Sequence, residues 1–385
     1  MTKRKKKRYK LRKSVRKAAL IIGIPLVIVI LTLFADSIKR GLEKKGIKIA
    51  IFDVPSIAAD RATVEEDSEN YSFFDTTATK APTMVSVELG NNGVDDLEEG
   101  SLVTSKDGQR AYALIYCWIR TAGNDRASKA SELYYGDEVI IKEVGERYIK
   151  VETDTKEGYV RNDYLSSTKP TWVGNLYNNH KIHTTFGAVA SDKYVIKGFP
   201  LLSQKVDLPS GCEISSLAMV LNYYGVDINK DKLVDCLETG DYGDNIFTKF
   251  IGNVREDHSF GCMAEAICNA ADEYLELSGN TNLKVGNISG TDVDGLLALV
   301  AAGYPVIVWG TEDMKSVGDH SQIWNYEGVP MGFIKGEHCL VLIGFDREND
   351  RVIMADPLKD NYVEYSLTAF KLRYRAQFSQ AVLIY

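Results

Sequence analysis

The stretch that most constrains how this chain can fold is Gln204-Lys-Val-Asp-Leu-Pro-Ser-Gly-Cys212-Glu-Ile-Ser-Ser-Leu-Ala-Met-Val-Leu-Asn-Tyr-Tyr-Gly225. Pro209, Ser210 and Gly211 end any preceding strand, and Ser210 or Gly211 can cap a helix. Ile214, Leu217, Ala218 and Leu221 then recur at helical spacing, and Gly225 suits the position just past a helix end. Cys212 is thereby delivered to the first turn. A thiol there feels unpaired N–H groups and the positive end of the helix dipole, which favour thiolate, while Glu213 pulls slightly the other way. A cysteine that only packs would sit mid-helix on the apolar stripe, so this placement reads as a nucleophile's. Gln204, eight residues upstream, can turn its amide toward the same spot.

The remaining organisation follows from charge and periodicity. Residues 1–17 hold 11 Lys/Arg and no acid, whereas the rest holds 35 Lys/Arg against 53 Asp/Glu, a net of −18. An acidic body with one basic end argues against nucleic acid as a partner. Residues 18–35 are uncharged and just long enough for a membrane helix, with Pro25 tolerable inside it. The positive-inside rule places a 1–17 tail in the cytoplasm and everything after residue 35 outside. A cleaved signal peptide is the rival, but its apolar region is usually shorter and no small-x-small site follows Ala35 promptly. Residues 36–109 read as a linker or spacer, acidic and Ser/Thr-rich from Ala62 to Lys80.

Residues 110–168 read as all-β, with short strands at Ala111–Tyr116, Glu138–Val144, Tyr148–Val151 and Gly158–Val160 separated by turn signals. Residues 176–385 read as one α+β domain: helices near 212–225, 231–237, 263–277 and 293–302, then strands at 305–309, 339–343, 351–355 and 380–385. Within it, Gly336-Glu-His338 opens a strand ending at Asp346, and Arg351–Ala355 returns to Asp356-Pro357. A hairpin about residue 348 places residues near 358 opposite His338, so Asp356 falls beside the imidazole on a sheet edge. A carboxylate on one ring nitrogen fixes the tautomer and leaves the other to take a proton from a thiol. Gln204 and the Cys212 N–H are candidate oxyanion donors.

The bland readings are a strand histidine and an ordinary Asp-Pro turn. Cys339 points to the opposite strand face and reads as core, as do Cys236, Cys262 and Cys268; His320 is the substitute base. The six cysteines have no CxxC pair or regular spacing, and a His258/Cys262/Cys268 metal site lacks recognised ligand spacing. No metal and no cofactor are expected.

Two resemblances sharpen this. Trp118-Ile-Arg120, Tyr135-Gly-Asp-Glu-Val139, Tyr148-Ile-Lys-Val151, Glu157-Gly-Tyr-Val160 and Tyr164-Leu165 resemble a bacterial SH3-like domain, which implies binding to cell-wall peptide or glycan. Gln204 with Leu208-Pro-Ser-Gly-Cys212-Glu-Ile-Ser-Ser-Leu-Ala-Met219, Gly336-Glu-His338 through Asp346, and Ala355-Asp-Pro357 resemble the C39-like, papain-fold cysteine peptidases of bacteria. Phe250-Ile-Gly252, Ser259-Phe-Gly261 and Gly303–Thr311 match the intervening stretches. That resemblance implies Cys212 as nucleophile, His338 as base, Asp356 as its orienting residue and Gln204 as oxyanion donor. Bacteriocin-processing members are fused to an ABC transporter; no GxxxxGK[ST] phosphate loop is present here, so leader-peptide export is not implied.

The expectation is a membrane-anchored extracellular hydrolase of a Gram-positive-type envelope, acting on a peptide or peptidoglycan-stem substrate through a thioester. A transpeptidase would use the same acyl-enzyme. The rival of another class is a non-catalytic wall-binding or scaffolding protein on a degenerate papain fold, and a metal-dependent hydrolase lacks any paired-histidine motif such as HExxH.

Overall fold

A computed structural model describes residues 86–88, 108–170, 179–185, 191–280, 282–318 and 320–385. The basic tail and the expected span at 18–35 lie outside the described residues, as does nearly all of the 36–109 spacer. Among the described residues no helix is long and apolar enough to cross a membrane.

Alternation of apolar and polar side chains builds the first unit. Strands β1 (Arg110–Ala113), β2 (Cys117–Arg120), β3 (Lys129–Leu133), β4 (Glu138–Val144), β5 (Tyr148–Glu152), β6 (Glu157–Arg161) and β7 (Leu165–Ser166) pair in the order β3-β2-β6-β5-β4-β1-β7. Every pairing in this sheet is antiparallel. Val139 and Ile141 turn inward from β4, Ile149 and Val151 from β5, and Val160 from β6, all essentially without exposure, as a period of two requires. The strand expected over Ala111–Tyr116 is shorter, and the chain turns to start β2 at Cys117; β3 carries no strong alternation and was not legible.

The C-terminal unit is the α+β domain the periodicity predicts. Its first strand, β8 (Lys193–Val195), precedes α1 (Cys212–Tyr223), α2 (Lys230–Asp235), α3 (Ala264–Leu277), β9 (Val285–Asn287) and α4 (Val293–Ala301). Then come β10 (Val306–Thr311), a hairpin of β11 (His320–Tyr326) and β12 (Val329–Ile334), β13 (Glu337–Asp346), β14 (Arg351–Ala355), β15 (Val363–Ser366), α5 (Leu367–Ala376) and β16 (Ala381–Ile384). The sheet runs β9-β16-β10-β13-β14-β15, with β8 also on β13. Residues of both parities along β10 are buried, as are all of β13 after Glu337, the signature of strands covered on both faces. Helix α1 packs on β13, α4 on β13 and β10, and α5 on β10 and β14. The first ten residues of α1 are all buried, Ser215 and Ser216 included, so its pattern is that of a central helix rather than a surface one.

The helix boundaries show local chemistry. Gly225 takes φ of +79° just past the end of α1, the conformation glycine tolerates. Asp292 caps α4 through Gly295 N–H at 2.7 Å. The N-cap of α1 is Gly211, which has no side chain to offer and leaves the first turn's donors unpaired by a cap.

The two units meet along the β11–β12 hairpin and α5. Tyr116 and Tyr134 bury against Val317, Ile334 and Ala376. Trp118 Nε1 donates to Gly318 O at 3.2 Å, His320 Nε2 bonds Tyr116 O at 2.6 Å, and Arg375 pairs with Asp137 at 2.6 Å.

Candidate active site

The β13–β14 hairpin pairs Asp346 with Arg351 and Val341 with Ala355, with a bulge between Leu342 and Gly344. His338 lies three residues beyond the last pair and Asp356 one, and the side chains meet: His338 Nε2 is 2.7 Å from Asp356 Oδ1, with both residues at most 2% exposed. His338 pairs with Gly310 of β10 on one side, while the β14 pairing on the other side ends at Val341, so β13 runs inside the sheet but has one strand neighbour at His338.

The Asp356 carboxylate is held at three points. Its Oδ1 also accepts from Leu358 N–H at 2.8 Å, and Oδ2 accepts the Tyr365 hydroxyl at 2.9 Å. The following residue, Pro357, accepts from Gln204 N at 3.1 Å. Burial pushes this carboxyl up, but the His338 hydrogen bond and charge, the Leu358 N–H and the Tyr365 hydroxyl outweigh it, so the group stays below the ordinary carboxylate range. An ionised carboxylate only accepts, so Nε2 carries the hydrogen and Nδ1 of the neutral ring is left as the acceptor.

The loop into α1 is a chain of backbone bonds: Gln204 O accepts from Leu208 N, Leu208 O from Gly211 N, and Gly211 O from Ser215 N. Cys212 therefore starts α1 as the spacing predicts, and it is 7% exposed. Its thiol is held differently from the expectation. Sγ donates to Glu213 Oε2 at 3.2 Å, and Glu213 is fully buried. Burial first, then the charges of Glu213 and Glu337, push the thiol well above its ordinary value, while the Cys339 N–H pulls the other way. The opposition expected of Glu213 is thus the largest charge effect on the thiol, second to burial, because its carboxylate is out of water and beside the sulfur. Gln204 is buried near the site with Nε2 donating to Pro209 O at 2.8 Å.

The other candidates fall elsewhere. His320 binds the N-terminal β-unit through Tyr116 O, so the substitute base is a docking residue. Cys236, Cys262, Cys268 and Cys339 are buried free thiols, as expected of packing residues. Among the described residues two groups of metal-type donors come within 4.8 Å of one another, His180/Glu265/Cys268 and Cys212/Glu213/Glu337; neither contains His258. His180 is spanned by Glu265 at 2.9 Å and Asp272 at 2.8 Å.

Three residues about the site went unread in the sequence. Glu337 adjoins His338, but only the fold brings its carboxylate to Cys212. Tyr365 reaches Asp356 through the β14–β15 pairing. Gly261 has φ of +116°, and a Cβ there would stand 2.7 Å from Glu213 Oε1 and 3.1 Å from Glu337 Oε2. Gly261→Ala is expected to destabilise the fold by about 1–3 kcal/mol, since it adds a strained backbone and a clash with the carboxylates. Chemical denaturation followed by circular dichroism measures this; an unchanged midpoint would show that the loop has room.

Residues 196–382, which include all four predicted site residues, match the Peptidase_C39 like family. Uncharacterized protein YvpB of Bacillus subtilis (strain 168) is 27% identical over 215 residues, covering 51% of this chain and 81% of its own. A crystal structure described as a C39-like peptidase from Bacillus anthracis is 27% identical with a TM-score of 0.46, over 51% of this chain and 98% of that one. The peptidase domain of Streptococcus ComA, a bi-functional ABC transporter involved in a quorum sensing pathway, is 18% identical with a TM-score of 0.28, over 49% and 96%.

Proposed function

We propose that this chain, whose residues 196–382 match the Peptidase_C39 like family, is a cysteine peptidase or amidase with Cys212 as nucleophile, His338 as base and Asp356 as the residue orienting it. The observation that carries this reading is the buried 2.7 Å bond between His338 and Asp356, in the domain whose central helix opens on Cys212. His338 takes the thiol proton and Sγ attacks the carbonyl carbon. The C–N bond breaks as the imidazolium protonates the leaving amine. Water, deprotonated by His338, then splits the thioester to an acid and the free thiol. The Cys212 N–H and the second amide hydrogen of Gln204 are the proposed oxyanion donors.

In the same proposal residues 110–168 are an SH3-like module that keeps the enzyme near wall peptide, and 18–35 anchor it with the catalytic domain outward. Peptidoglycan stem peptides are the proposed substrates.

The test is hydrolysis by the full chain in detergent, on a peptide library and on isolated stem peptides, read by mass spectrometry. Cleavage by the wild type that is lost in Cys212→Ser and in His338→Ala is the expected outcome. No cleavage by the wild type, with binding to wall material retained, would replace the peptidase with the scaffolding reading.

A further inference from the structure

We infer that Glu213 is a positioning residue for the nucleophile, its carboxylate orienting the Cys212 S–H while the neighbouring Glu337 carboxyl stays protonated. The inference rests on the reading of Cys212 as the nucleophile.

Sγ of Cys212 and one oxygen from each of Glu213 and Glu337 lie within 4.8 Å of one another. Glu213 is fixed from both ends: Oε1 accepts Cys262 N–H at 2.8 Å, and Oε2 faces the thiol at 3.2 Å. Glu337 Oε1 is buried with no hydrogen-bond partner. Neither carboxylate meets a Lys or Arg in an ion pair among the described residues. Two like charges this close and this dry do not both ionise, so one of the two carboxyls stays protonated. Burial raises both carboxyls, most strongly Glu337, which also faces the charges of Glu213 and Glu312.

Among the described residues the surroundings offer no other neutraliser. Facing Cys212 are Glu213 on its own helix, and Glu337 and Cys339 on β13, while the charge of His338 reaches Glu213. Cys262 comes from the loop before α3 and Glu312 from the turn after β10. Asp356 adds a more distant negative charge felt at Cys339. His338, the one group here that can become cationic, is already committed through Nε2 to Asp356. A single negative charge therefore stays beside the sulfur and keeps its proton in place. The cysteine at this helix start is consequently not a standing thiolate.

The test is the rate of iodoacetamide alkylation of Cys212 in the full chain from pH 5 to 9, mapped by peptide mass. Glu213→Gln removes the charge nearest the sulfur and is expected to shift the profile to lower pH, labelling Cys212 about tenfold faster at pH 7, the change that one pKa unit brings. Glu337→Gln, a neutral group of the same shape as the protonated carboxyl, is expected to keep the wild-type profile within about twofold. Superposition of Glu213→Gln on wild type overturns the inference. So does equal acceleration by both variants, which would make both carboxyls charged. Infrared spectra of the wild type supply a readout that needs no variant to fold: a protonated-carboxyl C=O band persisting at pH 7 is expected, and its absence overturns the protonated Glu337. None of these measurements uses hydrolysis, so a chain that cleaves nothing can still pass them, and a working peptidase can fail them.

Discussion

Asp356→Asn is expected to lower kcat toward a cleaved peptide by roughly 10³- to 10⁴-fold with little change in KM, because an amide beside Nε2 favours the wrong imidazole tautomer. The geometry makes this substitution clean. Asn fills the same volume, and the Leu358 N–H and Tyr365 hydroxyl still surround it. The stability of the variant carries a second signature. A carboxyl held below its ordinary range in the folded protein contributes stability above about pH 4 and loses that contribution as the pH falls through its lowered native value. The stability gap between wild type and Asp356→Asn should therefore narrow in acid. A variant that keeps wild-type kcat would remove Asp356 from the proposed triad, and a gap that widens in acid would contradict its ionised state.

Trp309→Ala is expected to cost about 3–5 kcal/mol, the largest single loss in this fold. Trp309 is fully buried on β10, opposite Cys339 of β13, and its Nε1 donates to Cys262 O at 2.9 Å. Truncation would leave both a cavity and a buried carbonyl without a donor. Trp309→Phe fills most of the space and should lose only about 1–3 kcal/mol, chiefly for that carbonyl. Denaturation midpoints followed by circular dichroism separate the two. Since Cys262 N–H also holds Glu213, the alanine variant is expected to disturb the site's carboxylates as well as the core. Equal costs for Ala and Phe would place the energy in the hydrogen bond alone.

Much of this architecture was legible because periodicity records burial. The run Ile214, Leu217, Ala218, Leu221 after a breaker could only be a packed helix, and the hairpin arithmetic about residue 348 brought Asp356 to His338 before any coordinates did. Strands with weak alternation escaped: β11 and β12, like β3 in the N-terminal unit, hold their place by pairing rather than by pattern, and β15 alternates over only four residues. Helix α5 escaped too, because Leu367-Thr-Ala-Phe-Lys-Leu-Arg-Tyr-Arg-Ala mixes charge into a face that the β-unit and sheet cover.

The sequence by itself determined where the nucleophile's helix starts and the His338–Asp356 pairing, since each depends on neighbours a few residues away or on one tight hairpin; the expected order of helices before strands is broken by β8, β9 and α5. Only the tertiary structure decided the electrostatics around Cys212. Local chemistry at a helix start favours a thiolate. Folding puts Cys212 and Glu213 out of water and brings Glu337 in from another element, and at that depth burial and the charge beside the sulfur outweigh a helix dipole.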